Sequence, residues 1–252
     1  MRPEPPPSGD GSVQFQPRWL LLLLSIVVLV LLRNDRLALS LYVGTVALGS
    51  LSWLVVVPRR LAFAERRFQR EALRCLAKGD FALLDALAGR EWLLRRFGRK
   101  HVIPDTLALA AAARGDHEGA RRSWREALDH APPEERVRIE LNLAGEEMAV
   151  GQLDAAEGRY RSVLARRPDQ SLALGNLGRI LLRKGEELRE AAALLARAAP
   201  LADPGEAAEL RVLAAEALAR GGDPGWRAAW EAAREAGAEP TELERVTRIG
   251  AR

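Results

Sequence analysis

The fold is decided by the stretch HVIPDTLALAAAARGDHEGARRSWREALDHAPPE, residues 101–134. Apolar residues recur in it every three or four positions on both sides of Gly115, and prolines follow at its end. That spacing is the period of an amphipathic helix, and a glycine between two such runs can end a helix in the left-handed conformation at little steric cost. The stretch therefore predicts a helix hairpin. Its pattern is set by Leu107, Ala108, Ala111, Gly115, Ala120, Trp124, Ala127 and Pro132.

The turn glycine returns at a nearly constant interval along the chain. Its positions are Gly79, Gly115, Gly151, Gly185 and Gly221, which are spaced 36, 36, 34 and 36 residues apart. The residues that follow them are Asp80, Asp116, Gln152, Glu186 and Gly222. Each glycine separates two apolar-periodic stretches. A repeat of this length predicts a stack of helix pairs, because one pair cannot bury its apolar face alone.

These units resemble the tetratricopeptide repeat, whose 34-residue unit places small and large residues at fixed offsets from the turn. After residues 101–134, the next unit, 137–170, carries Leu143, Ala144, Gly151, Ala156, Tyr160, Val163 and Pro168. The third, 171–204, carries Asn176, Leu177, Gly178, Leu181, Gly185, Ala191, Leu195 and Ala198, with one extra residue after its turn. Two flanking units, 66–98 and 207–240, keep the turn but are degenerate, as terminal repeats are.

The resemblance implies an all-α solenoid of about five helix pairs over residues 66–252, with no cofactor. It implies that four large side chains fill the space between pairs: Trp124, Tyr160, Leu195 and Trp230. It also implies that the first helix of each pair lines a concave groove. Carried over position by position, the candidate groove residues are Asp105, Leu109, Arg138, Leu141, Met148, Leu172, Arg179, Leu182, Arg183, Arg211 and Leu218.

Four arginines among aliphatic side chains would suit a peptide or helix that bears acids. The alternative is that these arginines are solvated surface. Asn142 and Asn176 match one position at which some members of the family grip a terminal carboxylate. Asp105 and Leu109 stand where the partner lysine and asparagine would be needed, so we expect no such clamp.

Two apolar stretches precede the repeats. Residues 19–32 are apolar apart from Ser25, and residues 37–57 contain no charge. At 1.5 Å per residue the second stretch spans the ~30 Å hydrocarbon layer. We therefore expect a transmembrane hairpin with helices at about 18–32 and 37–57. A disordered Pro-rich tail, residues 1–17, precedes it, and a basic juxtamembrane segment, residues 58–65, follows it.

Arginines predict the orientation of this hairpin. The loop between the two stretches holds Arg33 and Arg36, whereas more basic residues flank the other side. Since cytoplasmic flanks carry the excess of Lys and Arg, both termini and the repeat domain are predicted to be cytoplasmic, in an integral protein of the cell membrane. Candidate contacts with anionic lipids are Arg59, Arg60, Arg66, Arg67 and Arg70. The alternative is that this run only determines topology.

Charge and motifs argue against other functions. The net charge is +4, of which residues 59–78 hold +5 and residues 1–58 hold +1, so the rest of the chain is acidic. A nucleic-acid-binding domain carries its basic stripe on the folded part. Cys75 lies on an apolar stripe, and no histidine has a partner at metal-ligand spacing. With no phosphate loop or nucleophile elbow, we expect neither catalysis nor a metal, nucleic-acid or small-molecule site.

The sequence thus predicts a membrane-anchored scaffold or adaptor, of bacterial type in its composition, that binds other proteins at the cytoplasmic face. Two alternatives stay open. One is an envelope-assembly or cofactor-maturation factor whose repeats lie outside the cytoplasm. The other is an accessory subunit of a larger membrane complex.

Overall fold

The computed structural model describes residues 26–28, 30 and 35–251. Within that part of the chain all regular secondary structure is helical. The helices from residue 36 onward are α1 (Arg36–Lys78), α2 (Phe81–Arg90), α3 (Trp92–Phe97), α4 (Val102–Ala113), α5 (His117–His130), α6 (Pro133–Ala149), α7 (Leu153–Arg166), α8 (Ser171–Lys184), α9 (Leu188–Ala198), α10 (Pro204–Arg220), α11 (Trp226–Glu235) and α12 (Pro240–Gly250). A 3₁₀ turn, Ala199–Leu201, follows α9.

The chain divides into two compact units, Met1–Arg60 and Leu61–Arg252. Helix α1 continues through Pro58, whereas the sequence analysis separated an apolar span ending at Val57 from a solenoid beginning at 66. The apolar spacing of Leu61, Ala64 and Phe68 favours helix directly after the proline, so the helix continues without a separate juxtamembrane segment. The tail, residues 1–17, and most of the first expected span lie outside the described residues. Those described, 26–28 and 30, are helical.

The part of α1 in the N-terminal unit has the length and composition of a membrane span. Its most apolar 18-residue window has a mean hydropathy of 1.8, and none of that window is buried. Core helices and signal sequences meet the same criteria, but a core helix would be buried. The hydroxyls of Ser40 and Thr45 donate to the carbonyls of Leu37 and Leu41 at 2.9 and 2.8 Å, which satisfies both donors inside the helix.

The glycine turns inside the helix pairs of the second unit share one hydrogen-bond pattern. At Gly115, which has φ +75°, the glycine N–H donates to the carbonyl of Ala112 and the next N–H, that of Asp116, donates to the carbonyl of Ala111. This pair of bonds is the Schellman motif. The Asp116 carboxylate then accepts from the N–H of Gly119 at 2.9 Å and caps α5. One Gly-Asp dipeptide therefore ends one helix and begins the next.

The fifth turn corrects the sequence analysis by one residue. Gly221 has φ −78° and still belongs to the helical turn, whereas Gly222 has φ +65°. The N–H of Gly222 donates to the carbonyl of Ala219, and that of Asp223 donates to the carbonyl of Leu218. The spacing of the glycines alone predicted the turn at Gly221. The dipeptide Gly222-Asp223, however, repeats the Gly-Asp found at residues 79–80 and 115–116.

The remaining units confirm the predicted pairing, with local departures. Residues 61–78 of α1 pair with α2, and α4–α5, α6–α7, α8–α9 and α10–α11 follow. The extra residue expected after the turn at Gly185 is Glu187, which takes a left-handed φ of 45°. Helix α3 is an insertion between the first and second pairs. Helix α12 packs Leu243 and Val246 against Val212 of α10 and covers the end of the stack.

The core runs between the helices as adjoining clusters. Trp124, Tyr160 and Leu195 are buried as predicted, and Trp230 is half-buried. Gly178 lets α8 and α9 approach closely, since a Cβ there would lie 2.6 Å from Cγ of Leu195. Alanine at such contacts and large side chains between them give the packing that the repeat pattern predicts.

Candidate functional site: a cleft on the first helices

The first helices of three successive pairs form a cleft of about 300 Å³. Helices α1, α4 and α6 supply its walls, in agreement with the expectation that first helices share one surface. The lining residues are Gln69, Ala72, Leu73, Leu76, Asp105, Thr106, Leu109, Glu135 and Arg138. Leu73 is 63% exposed, although it lies one residue from the buried Ala72. The cleft therefore offers apolar surface that no other side chain of the solenoid covers.

An ion pair joins two walls of this cleft. The guanidinium of Arg138 on α6 donates to both carboxylate oxygens of Asp105 on α4, at 2.8 and 3.2 Å. Asp105 also accepts from the indole N–H of Trp124 at 3.1 Å. Arg138 further contacts Glu135 at 3.0 Å. The hydrogen bond to Asp105 raises the pKa of Arg138 above its ordinary value, so the arginine is charged and its charge is balanced within the protein.

Arg179, a second predicted groove arginine, is engaged in the same way. On α8 it lies 3.2 Å from Glu209 and 3.7 Å from Glu206, both on α10. Ion pairs between successive first helices thus neutralise Arg138 and Arg179. By contrast, Arg183 and Arg211 form no ion pair with any described residue of the solenoid.

The structure separates the predicted aliphatic groove residues into three groups. Leu141 and Leu182 are 7% and 5% exposed, so they belong to the core and cannot line a surface. Leu109, Met148 and Leu218 are half-buried against the core clusters. Leu172 is 45% exposed. Leucines at first-helix positions alternate between facing the groove and facing the paired helix, and family offsets applied to this chain did not distinguish the two directions for Leu141 and Leu182.

Several cleft residues were missed because they belong to the degenerate first unit. Gln69, Leu73 and Leu76 recur at helical spacing on α1, next to the stripe of Phe68 and Ala72 that faces the core. Two apolar stripes on one helix are the signal that could have revealed them, since a helix with a single buried face needs only one.

The candidate lipid contacts on α1 are all exposed. Among them, Arg67 donates to Glu71 at 3.0 Å, and this hydrogen bond raises the pKa of Arg67. Arg70 donates to the carbonyl of Arg66 at 3.3 Å. The solvent-facing placement is what either a topology signal or a lipid contact requires.

The titratable side chains of the described residues form no candidate metal centre. No group of three or more His, Cys, Asp and Glu residues occurs there with the geometry to hold a metal ion. Cys75 is buried in the core of the first pair, as predicted. His101 is buried, and burial, aided by the charge of Arg99, lowers its pKa. The charged side chains that line the cleft, Asp105, Glu135 and Arg138, form ion pairs with one another.

Comparison with known proteins supports the fold. No family model matches the chain. A solved structure described as the MamA RS-1 ArsTM double mutant superposes with a TM-score of 0.55 at 18% identity, covering 73% of this chain and 95% of that one. Cellulose synthase 1 operon protein C of Komagataeibacter xylinus is 47% identical over 60 residues, which are 24% of this chain and 4% of that protein. The structural likeness supports the fold, a solenoid of stacked helix pairs.

Proposed function

We propose that this chain is a membrane-anchored scaffold whose solenoid binds a segment of a partner protein in the cleft formed by α1, α4 and α6. The observation that carries the proposal is the 63% exposure of Leu73 at a cleft whose charged groups are already paired. An exposed leucine in a concave, polar-rimmed site is typical of surfaces that bind apolar anchors.

The chemistry of the cleft favours a partner helix or peptide that inserts an apolar side chain. Leu73, Leu76 and Leu109 would contact the anchor, while Gln69 and Glu135 would face its polar flank. Because Arg138 is already neutralised by Asp105, the cleft does not require an acidic anchor. Acidic residues of the partner would be recognised beyond the cleft, by Arg183 and Arg211.

Membrane anchoring by α1 is part of the proposal. The unburied apolar window of α1 supports it, as does internal pairing of the hydroxyls of Ser40 and Thr45. The excess of arginine after the apolar segment supports a cytoplasmic solenoid. We propose a role without catalysis, in which the anchor restricts the bound partner to the membrane.

The cleft is tested by photo-crosslinking in cells. A benzophenone amino acid at Leu73 is expected to crosslink a discrete protein, whereas the same group at Leu201, which is 51% exposed but outside the cleft, is not. Substitution Gln69→Trp fills the cleft from an exposed position and should abolish the crosslink. Equal crosslinking from both positions, or a crosslink that survives Gln69→Trp, would contradict the assignment.

Orientation is tested with a cysteine at exposed Arg248 in a Cys75→Ser background, treated with a membrane-impermeant thiol reagent. Protection until the cells are lysed would support the cytoplasmic solenoid. Labelling of intact cells or spheroplasts would reject it, and an envelope-assembly or cofactor-maturation role outside the cytoplasm would replace it. Loss of the protein from the membrane fraction would reject anchoring itself.

A further inference from the structure

The insertion between the first two helix pairs has a composition unlike that of the other connections. Residues 90–100 read REWLLRRFGRK, with five basic residues and one acid. The corresponding connection between α5 and α6 has only two residues, Ala131 and Pro132. Solenoid packing does not require a longer connection that forms its own helix, α3, and carries a large excess of positive charge.

Helix α3 is attached to the solenoid by Leu94 and by the guanidinium of Arg95, which donates to the carbonyl of Ala88 at 3.2 Å, and it presents the face opposite Leu94 outward. Leu94 is 3% exposed and packs in the cluster that contains Phe68 and Ile103. Trp92 is 67% exposed. At about 100° per residue, Trp92 and Arg96 lie almost opposite Leu94, and Arg95 lies beside them. A large aromatic side chain is therefore held in solvent between two cations.

The cations of this insertion are mostly unneutralised. Lys100, Arg90 and Arg96 have no ion pair with any residue of the described solenoid, and Arg96 lies over the ring of Phe97 with 5.1 Å to its centroid. Arg99 is the exception, since it pairs with Glu65.

A cleft of about 250 Å³ adjoins the insertion. Its polar lining comes from Arg95, Arg99, Lys100 and His130, together with Ser123 and the carboxylate of Glu126. The excess of cationic groups suits an anionic headgroup.

We propose that residues 90–100, with Trp92, Arg96 and Lys100 as the contacting side chains, form a docking surface for an anionic lipid bilayer. An exposed indole flanked by cations matches the interface, where the ring lies at headgroup level and each cation near an acidic leaflet contributes on the order of 1 kcal/mol. This surface is distinct from the arginines of α1. It fixes part of the solenoid against lipid independently of the span. The inference rests on the proposed membrane location.

The test uses the full chain reconstituted into vesicles. Cys75 is 5% exposed, so a cysteine introduced by Trp92→Cys takes the environment-sensitive fluorophore NBD, and the unsubstituted chain serves as the labelling blank. Vesicles of phosphatidylglycerol mixed with phosphatidylcholine are compared with phosphatidylcholine alone, each with and without nitroxide-bearing lipid. Both leaflets have the same composition, so the direction of insertion does not affect the result.

Blue-shifted emission and nitroxide quenching in the anionic vesicles, and much less in the neutral ones, are expected. The same label at Gly205, where a Cβ meets no atom within 4 Å, should not be quenched. Arg96→Glu with Lys100→Glu should reduce the lipid-contacting population roughly fivefold for each cation lost. The control Arg122→Glu with Arg167→Glu has the same charge change at exposed positions and should have no effect.

A separate measurement tests the proposed anchor: if the protein does not float with either kind of vesicle, membrane anchoring by α1 is rejected. If the chain floats but the label at position 92 is not quenched, the lipid surface is rejected and an acidic protein becomes the occupant to seek. Equal quenching in neutral and anionic vesicles also overturns the proposal, because it removes the role of the cations.

Discussion

Because the fifth turn is shifted by one residue, alanine substitutions at the neighbouring Gly221 and Gly222 are expected to change stability in opposite directions. In Gly222→Ala, alanine would have to adopt φ +65°, and the left-handed conformation costs an L-residue about 1–2 kcal/mol. A Cβ there meets nothing within 4 Å, so no steric contact adds to or offsets this backbone cost. The turn that joins α10 to α11 should weaken by that amount.

In Gly221→Ala the new methyl group belongs to a residue with φ −78°. Its Cβ would lie 3.4 Å from the carbonyl oxygen of Ala217 and 3.5 Å from Cβ of Leu188, both ordinary contacts. Replacing glycine at a compatible position reduces the entropy of the unfolded chain and gains about 0.4–1 kcal/mol. The two alanine variants should therefore differ by roughly 2 kcal/mol.

Hydrogen exchange of peptides from α11 measures this difference locally, which suits a solenoid because its terminal pairs can open separately. Protection in α11 should fall about tenfold for Gly222→Ala, since 1.4 kcal/mol is a factor of ten, and be kept or increased for Gly221→Ala. Gly115→Ala, at φ +75° with open space around the Cβ, is the reference for the same cost in a regular turn. If Gly221→Ala lost more protection than Gly222→Ala, the turn would lie at Gly221, as the even spacing predicts, and the shift would be refuted.

Three further variants test the packing, the electrostatics and the cleft. Arg159→Met removes the guanidinium 2.7 Å from Glu147, which is 1% exposed and keeps Arg125 as a second partner at 3.7 Å. It should lower the free energy of unfolding by about 2 kcal/mol in urea titrations, and a loss below ~1 kcal/mol would contradict this. A hydrogen bond from Lys184 lowers the pKa of Glu157, so its stabilisation is present above the ordinary carboxylate pKa and lost as pH falls through the lowered value. Glu157→Gln should thus reduce the Tm at neutral pH and have a diminishing effect below about pH 4, whereas a constant difference across that range would exclude the pair as its cause. Leu73→Glu should leave the Tm unchanged and weaken partner crosslinking, and a large fall in Tm would show that Leu73 serves packing instead.

Local rules account for the part of the fold that the sequence predicted. Gly115 needs positive φ, Asp116 caps the following helix, and Trp124 lies two turns after that glycine; each requirement is met within one hairpin. Since these constraints recur at a fixed period, they predicted the number of pairs, the turns and the large core side chains. The shift to Gly222 arose because Gly221, which keeps the 36-residue spacing, precedes a second glycine, and only the Asp after that second glycine indicates which of the two takes positive φ.

The cleft could not be predicted in the same way, because its walls come from helices whose residues lie about a repeat apart or more. The pair between Asp105 and Arg138 joins positions 33 residues apart, and the sequence identified both residues without revealing that they neutralise each other. Acid recognition by Arg138 was one of two interpretations that the sequence left open, and its internal partner makes that role unnecessary. The burial of Leu141 likewise depends on whether its side chain points to the groove or to the core. The spacing of apolar residues does not determine that direction on a helix with two apolar stripes.

The two proposed binding surfaces share a physical origin in the irregular first unit. In a regular unit the packing offsets commit nearly every apolar side chain to the core, as for Trp124 and Tyr160, both at most 2% exposed. Among the described residues the first pair has a neighbouring pair on one side, and α1 presents Leu73 to solvent while Phe68 packs in the core. The insertion after α2 is attached by Leu94 and by the hydrogen bond from Arg95 to the carbonyl of Ala88, and Trp92 stays exposed for another contact. Stability and recognition are thus divided between regular and irregular units, and substitutions at Leu73 and Trp92 should alter binding while those at Phe68 and Leu94 alter folding.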